Sequence, residues 1–396
     1  MALKNNTWKL NQWYDQNVAG NITYTGLPQL TTWGKNTHGL LGQNNLTNYS
    51  SPVQVPGTTW QYLGRAAASS SDTDHALAVK TDGTLWAWGS NGNGQLGQNS
   101  EVKYSSPIQI GGGTDWGSYM EVTKGSSFAI KTDGTLWAWG HNESGYGRLG
   151  LNNKTSYSSP TQIPGTTWDK ISTHGYTTMA TKTNGELWTW GNSAIGQLGL
   201  NGPVNTNYSS PKQVPGTTWA SDMTGGNNWS AAIKTDGTLW TWGYNNKGQL
   251  GQNQDGGPGA GLSNAKSSPV QVGSDTTWSK ISGHSSGIVA IKTDGTLWSW
   301  GQNNNGQLGH NNEVQYSSPT QVPGTTWSNL ISIGGSTIAT KTDGTLWGWG
   351  DNSEGGQLGQ NNTTKYSSPT QIVGDWKQGA FEMGSTYAGF MAIKMV

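Results

Sequence analysis

Residues 80–99 read KTDGTLWAWGSNGNGQLGQN, and residues 104–110 continue with YSSPIQI. The same pattern recurs through the chain, and a Trp-Gly pair marks each copy. The seven Trp-Gly pairs are separated by 55, 51, 51, 52, 58 and 49 residues. A period near fifty residues is typical of propellers and solenoids. The marker tryptophans are Trp33, Trp88, Trp139, Trp190, Trp242, Trp300 and Trp349.

Each copy contains four short extended segments, which the copy beginning at Trp278 illustrates. The pattern predicts strand A at residues 278–282, strand B at 287–292, strand C at 296–301 and strand D at 318–322. The Thr-Asp-Gly between strands B and C is a tight-turn signal, because Gly adopts a positive φ at little cost. Strand C carries two tryptophans on one face and small residues on the other. Such a strand suits a blade that is covered on both faces.

The two ends of the chain complement each other. Residues 389–396 match strand B and then stop, while residues 29–45 match strand C and the loop that follows it. We therefore predict an all-β fold, a seven-bladed β-propeller with four-stranded antiparallel blades, closed by N- and C-terminal strands that share one blade. Residues 21–396 are predicted to form this single domain. Residues 1–20 form an N-terminal arm, which either packs on the rim or docks to a larger assembly.

Composition excludes several classes of function. Lys plus Arg equals Asp plus Glu, 22 of each, so no basic stripe is available for nucleic acid. No apolar run predicts a membrane span or a signal peptide. Cysteine is absent, and the six histidines lack metal-ligand spacing, so we predict no metal and no cofactor. No nucleophile elbow or phosphate loop occurs, and we predict that the protein is not an enzyme.

The loops indicate where a ligand could bind. In a four-stranded meander the A–B and C–D loops share one face of the propeller, and the A–B loops differ in nearly every copy while the B–C turns hardly vary. Variable loops on a rigid framework favour recognition, and relaxed drift of surface loops is the alternative. The predicted contact residues on this face are His75, Tyr176, Asn228, Trp229, His284 and Tyr387.

Trp229 is the strongest of these candidates, because it departs from the repeat and follows Asn227 and Asn228. An aromatic ring beside amides suits the face of a sugar. The alternative is that this ring plugs the mouth of the channel. His174 and His284 occupy related loop positions.

The segment TDGTLWAWG, the following GQLG and the proline before strand D resemble the regulator of chromosome condensation type repeat. The resemblance covers residues 27–396 and implies a seven-bladed propeller with shared closure of the last blade. The near-identical copies also resemble repeat proteins of environmental bacteria and marine bacteriophages. That likeness implies a non-enzymatic binding or structural protein on the surface of a phage particle.

In that role the predicted partners are other virion proteins, or a glycan or protein of the host surface. The alternative is a bacterial propeller that binds or inhibits another protein, outside the cell or in the cytoplasm. The sequence leaves the ligand and the oligomeric state open.

Overall fold

A computed structural model gives the fold of this chain. It describes residues 28–66, 75–142, 145–254, 264–374, 376, 383–386 and 389–395. The N-terminal arm and Tyr387, which the sequence singled out, lie outside these residues. The described residues form strands, turns and loops, and no helix among them is long and apolar enough to cross a membrane.

The strands from the first half of the chain are β1 (Pro28–Gly34), β2 (Tyr49–Gln54), β3 (Trp60–Leu63), β4 (Arg65–Ala66), β5 (His75–Lys80), β6 (Leu85–Gly89), β7 (Tyr104–Gln109), β8 (Trp116–Thr123), β9 (Ser126–Lys131), β10 (Leu136–Gly140), β11 (Tyr157–Gln162), β12 (Trp168–His174), β13 (Thr177–Lys182), β14 (Leu187–Gly191) and β15 (Tyr208–Gln213).

The strands from the second half are β16 (Trp219–Gly226), β17 (Trp229–Lys234), β18 (Leu239–Gly243), β19 (Lys266–Gln271), β20 (Trp278–His284), β21 (Gly287–Lys292), β22 (Leu297–Gly301), β23 (Tyr316–Val322), β24 (Trp327–Ile333), β25 (Ser336–Lys341), β26 (Leu346–Gly350), β27 (Tyr366–Ile372), β28 (Met383–Thr386) and β29 (Gly389–Met395).

These strands form seven antiparallel blades in the order A-B-C-D from the axis outward. Blade 1 holds β3, β5, β6 and β7, blade 2 holds β8 to β11 with the short β4 as a fifth strand beside β8, and blades 3 to 6 take four strands each from β12 to β27. Blade 7 has the order β28-β29-β1-β2, so its A and B strands come from the end of the chain. Strand β1 pairs with β29 along its whole length, from Pro28 opposite Met395 to Gly34 opposite Gly389. The predicted fold and its shared closing blade are confirmed.

One hydrogen bond, repeated seven times, joins each blade to the next. The Nε1 of each marker tryptophan donates to a backbone oxygen in the GQLG-type loop of the preceding blade, at 2.8–3.1 Å. The bond from Trp33 to the Gln357 oxygen, 2.9 Å long, crosses the closure of the ring. Each of these rings is fully buried. The repeated Trp-Gly and GQLG segments therefore encode contacts between blades.

The tryptophan that opens strand A packs within its own blade. In blades 1 to 6 its ring meets both tryptophans of strand C edge to face, with ring centroids about 6 Å apart. The last lysine of strand B lies over the same cluster. In blade 5 the Lys292 Nζ is 4.7 Å from the Trp278 ring centroid and 3.9 Å from that of Trp298. This packing explains why Lys recurs before the Thr-Asp-Gly turn.

Strand boundaries in blade 5 differ from the sequence prediction at three places. Strand D begins at Tyr316, two residues before the predicted Ser318, strand A runs on to His284, and strand C begins at Leu297, one residue after the predicted start. The extension of strand A follows from pairing, since His284 lies opposite Gly287 in the ladder with β21. A segment that was predicted as a loop is therefore the last part of a strand.

Candidate binding site at the wide end of the channel

The A strands line the central channel, and neighbouring A strands contact one another around the axis. Each A strand runs from the end of the ring that carries the D–A connections and B–C turns to the end that carries the A–B loops. We call the first the wide end and the second the narrow end, because the channel tapers between them. Its volume is about 610 Å³ at the wide end and about 30 Å³ near the narrow end.

Two A strands widen the channel through larger bulges. The register shift in β8 extends from Trp116 to Met120, and β16 has the same pattern, whereas the shift in β3, β12, β20 and β24 covers two residues. A β-bulge redirects side chains and bends its strand. Here the bulged segments contribute Ser118, Tyr119 and Asp222 to the lining of the wide end.

We refer to this wide cavity as the funnel. Its wall is completed by Lys170 and Lys280 from the A strands of blades 3 and 5, which have the smaller bulge, and its rim by turn residues of blades 4 and 5. A second, shallower recess of about 780 Å³ lies on the same end beside blades 1 to 3. Ser118 and Tyr119 line both recesses. The two cavities therefore form one uneven surface at the wide end.

The funnel contains charges of both signs at close quarters. Burial raises the pKa of the Asp222 carboxyl, and the positive charges of Arg65, Lys280 and Lys170 oppose that shift. The Lys170 Nζ also lies 5.1 Å from the ring centroid of Tyr119. The funnel wall is thus a polar, electrostatically coupled surface, which distinguishes it from an apolar packing defect.

Between the two cavities, at a position we call the neck, a short strand that follows β3 of blade 1 pairs with blade 2. Arg65 and Ala66 form β4, which leaves blade 1 and pairs in parallel with β8 of blade 2. This pairing sets Arg65 opposite Glu121, a carboxylate that is almost fully buried. Burial raises the pKa of Glu121 well above its ordinary value, while the Arg65 charge acts in the opposite direction. Arg65 and Glu121 therefore place opposite charges on paired strands where the two cavities meet.

Hydrogen bonds between blades hold the narrow end together. The Asn227 N–H donates to the Ser285 oxygen at 2.7 Å, and the Thr123 hydroxyl donates to the Gly175 oxygen at 3.1 Å. Just inside them, the Ser332 N–H donates to the Ser282 hydroxyl oxygen at 2.8 Å. The A–B loops, which the sequence suggested as a recognition surface, use these groups to bond one another.

Three predicted contact residues are buried, which corrects their assignment as ligand contacts. Trp229, His75 and His284 have no solvent-exposed surface in this structure. The Trp229 Nε1 donates to the Ser285 oxygen of the next blade at 3.1 Å. Its ring occupies space beside Gly283, where a Cβ would lie 2.8 Å from the ring. The ring is unavailable to stack on a sugar, and it fits the alternative that it fills the end of the channel.

The buried histidines pack in the same manner. The His75 Nε2 lies 2.8 Å from the Ser127 hydroxyl of the next blade, and the His174 Nε2 lies 2.9 Å from the equivalent Ser230. Both serine hydroxyls donate onward to backbone oxygens, so each imidazole donates through Nε2 and is neutral. Burial lowers the pKa of His75, His174 and His284 to about 3.

The remaining predicted residues have mixed positions. Asn228 is exposed and Tyr176 is half-buried, so both could contact a ligand at the narrow end. The Tyr176 ring lies 5.0 Å from that of Tyr146, and the buried Arg148 guanidinium lies 4.4 Å from its centroid. Arg148 takes the place of the glutamine in GQLG. This small aromatic cluster is the part of the predicted face that stays available.

The funnel was not predicted from the sequence, although the spacing of the copies contains a signal for it. The interval from the tryptophan of strand A to the lysine of strand B is 14 residues in blades 3, 5 and 6 and 15 residues in blades 2 and 4. The extra residue belongs to the two larger bulges. A second signal for the funnel is a charged residue near the start of strand A in three blades, namely Lys170, Asp222 and Lys280.

Comparison with known proteins identifies the repeat. The RCC1-like domain family matches residues 117–390, and the regulator of chromosome condensation (RCC1) repeat family matches residues 69–95. The ultraviolet-B receptor UVR8 of Arabidopsis thaliana is 29% identical over 299 residues, which cover 74% of this chain and 64% of that receptor. The mouse E3 ubiquitin-protein ligase HERC2 is 27% identical over 290 residues, but the match spans only 6% of its length.

Solved structures agree on the fold. Yeast RCC1 (Prp20), in its complex with Kap60, superposes with a TM-score of 0.78 at 18% identity, covering 95% of this chain and 91% of Prp20. Human WBSCR16 superposes with a TM-score of 0.76 at 18% identity, covering 93% of this chain and 98% of that protein. Since the RCC1-like domain match extends over well more than half of the sequence, the chain belongs to the RCC1-like domain family.

Proposed function

We propose that this chain is a non-enzymatic, protein-binding propeller whose partner docks on the wide end. The observation that carries this proposal is the funnel, a polar cavity of about 610 Å³ that opens among the turns of that end. Cavities of roughly 300–1,000 Å³ with a few convergent polar groups are typical binding sites. RCC1-like propellers are a protein-interaction fold, which favours a protein as the partner.

Structures similar to this chain support a binding role. Yeast RCC1 was crystallised bound to Kap60, and the study of the same protein, Prp20p of Saccharomyces cerevisiae, concerned its binding to Gsp1p and histones. HERC2 is a ubiquitin ligase, but the matched segment is 6% of that enzyme, so we assign no ligase activity here.

Paired cysteines at the two ends test the location of the partner. The chain has no cysteine, so one introduced thiol carries a single photo-crosslinker. Thr293→Cys places the probe on the exposed rim of the funnel, and Asn227→Cys places it on exposed surface at the narrow end. Both labelled proteins are irradiated in extract of the source organism, with excess unlabelled protein as competitor, and the crosslinks are identified by mass spectrometry.

We expect a competable crosslink from Thr293→Cys and none of the same protein from Asn227→Cys. Capture confined to Asn227→Cys would move the interface to the narrow end, where Tyr176 and Asn228 would be the contacts. Turnover of any substrate by the purified chain, lost in a funnel variant, would contradict the non-enzymatic part of the proposal.

A narrower form of the proposal puts the chain on the surface of a phage particle, as decoration or as an adhesin. It is supported by the resemblance of the repeat copies to phage and environmental bacterial proteins, and its partners would be virion proteins or a host glycan or protein. The alternative is a bacterial interaction or inhibitor propeller. Mass spectrometry of purified phage particles distinguishes the two possibilities. A virion component would be found at a fixed copy number per particle, whereas a bacterial protein would be absent.

A further inference from the structure

The cations of the funnel have few partners of their own. Among the described residues, the side chains of Arg65, Lys170 and Lys280 form no ion pair within 4 Å and no hydrogen bond. Lysines elsewhere on the wide end differ, since the Lys292 ammonium contacts the Asp275 carboxylate and stacks on two tryptophans. The three funnel cations therefore keep their hydrogen-bond donors for an incoming group, although Lys170 lies near the Tyr119 ring and Arg65 lies opposite Glu121.

The carboxylates of the funnel do not balance these cations. Glu121 and Asp222 face three positive side chains, which leaves a formal excess of one positive charge when both are ionised. Burial also favours the neutral form of each carboxyl, and protonation of either one would increase the excess. At the rim, Lys234 and Asp236 offset each other.

We propose that the funnel binds an acidic segment of the partner protein, a run of Asp and Glu side chains that enters along the axis from the wide end. Lys170 and Lys280 bond carboxylates on the funnel wall, and Arg65 at the neck bonds the deepest one. Recognition of acidic segments by clustered cations relies on charge-assisted hydrogen bonds. This inference rests on the proposed function and names the chemistry of its partner.

The shape of the site favours a peptide over a nucleic acid. The cations line one cavity of about 610 Å³, and Arg65 lies where it meets a smaller cavity of about 30 Å³, so they cluster around a recess. A nucleic-acid site needs a track of cations along a phosphate backbone. The chain as a whole has no excess of positive charge.

A labelled hexaglutamate peptide is the probe for this proposal. Fluorescence anisotropy measures its affinity at low salt, with hexalysine, a neutral Gly-Ser hexamer and a ten-nucleotide oligothymidylate as comparison ligands. We expect hexaglutamate to bind most tightly and its affinity to fall as salt is raised. Lys170→Ala and Lys280→Ala should each weaken it about tenfold, the loss of one charge-assisted hydrogen bond.

Two further variants sharpen the result. Asp222→Asn removes a competing carboxylate and should tighten hexaglutamate binding severalfold, which a merely structural role of Asp222 would not do. Lys154→Ala removes the same charge from an exposed loop at the narrow end and should leave the affinity unchanged. Thermal unfolding of each variant checks that the fold is retained.

Equal binding of hexaglutamate by the wild type and both lysine variants overturns the proposal, as does tighter binding of hexalysine or oligothymidylate. If hexaglutamate fails while Thr293→Cys still crosslinks a protein, the partner class is wrong and the wide-end interface stands. If the crosslink itself moves to Asn227→Cys, the proposed function fails as well.

Discussion

The two ends of this ring are built from the same seven copies, yet they use side chains in opposite ways. At the narrow end, large side chains such as Trp229 and His174 fill space that glycines of the next blade leave open, and backbone groups of adjacent loops bond one another. At the wide end, bulged segments of β8 and β16 line a funnel whose cations form no ion pair within 4 Å among the described residues. The sequence differences among the copies therefore serve packing between blades at the narrow end and line a cavity at the wide end.

At the narrow end a change in one copy is matched by a change in its neighbour. The His174 ring lies where a Cβ on Gly225 would approach it to 2.5 Å, so the histidine in blade 3 requires the glycine in blade 4. Close packing makes such pairs depend on each other. At the wide end, the differing residues Tyr119, Lys170 and Asp222 line a cavity, although Tyr119 also packs against the buried cluster of blades 2 and 3.

The largest expected effect follows from truncating the ring that fills the narrow end. Trp229→Ala removes a fully buried side chain and should lower the free energy of unfolding by about 3–5 kcal/mol. Denaturant unfolding measures the change, and Tyr176→Ala, at a half-buried position, should cost about 1 kcal/mol or less. A Trp229→Ala protein as stable as the wild type would contradict the packing role of the narrow end.

The second effect concerns pH. Since burial lowers the pKa of His75, His174 and His284 from 6.5 to about 3, the unfolded chain binds more protons between these values. Their stabilisation is complete above pH 6.5 and is lost as the pH falls toward 3, at about 1.4 kcal/mol per pH unit for each histidine. The raised pKa values of Glu121 and Asp222 have the opposite effect, because they make the free energy of unfolding fall as the pH rises.

His284→Gln isolates one of these contributions. It should flatten the dependence of the unfolding free energy on pH by about 1.4 kcal/mol per unit between pH 6 and pH 4. Denaturant titrations of His284→Gln and of the wild type at several pH values measure the two slopes. Parallel curves for His284→Gln and the wild type would show that His284 is protonated in the folded state.

Backbone strain at the wide end gives a smaller effect of the opposite sign. Thr218, in the D–A connection between blades 3 and 4, has a φ of 68°, which is unfavourable for a β-branched residue. Thr218→Asn should raise stability by about 1 kcal/mol, because Asn tolerates this region better. Thr217→Asn, at the preceding residue, should have no such benefit, and thermal unfolding compares the two. A destabilised Thr218→Asn protein would show that the threonine side chain matters more than the strain.

The smallest effect tests the lysines that cover the tryptophan clusters. The Lys182 Nζ lies 5.2 Å and 4.6 Å from the ring centroids of Trp168 and Trp188. Lys182→Ala should lower the free energy of unfolding by about 0.5–1 kcal/mol, the range of an accessible cation–π contact. Lys182→Arg, which keeps the charge over the rings, should retain most of this stability. A loss above about 2 kcal/mol would indicate that wide-end residues contribute as much to folding as narrow-end residues.

The fold was predictable because its contacts are repeated. Trp88 and its six equivalents donate the same hydrogen bond to the preceding blade, so the packing of one copy predicts that of all seven. The complementary ends of the chain predict that the ring is closed by one shared blade. The burial of Trp229 was not predictable from its own loop, because it depends on Gly283 in the next blade. The funnel depends on one extra residue in each of β8 and β16, a small signal within a strong repeat.

The difference between the two ends is tested most directly by thiol reactivity at two serines. Ser118→Cys lies on the half-exposed wall of the funnel, and Ser282→Cys lies buried near the narrow end, where its side chain accepts the Ser332 N–H. We predict that the Ser118→Cys thiol reacts with a maleimide reagent at nearly the rate of a free thiol, and that Ser282→Cys reacts at least about a hundredfold more slowly. Equal rates at the two sites in the folded protein would contradict the proposed difference between the two ends.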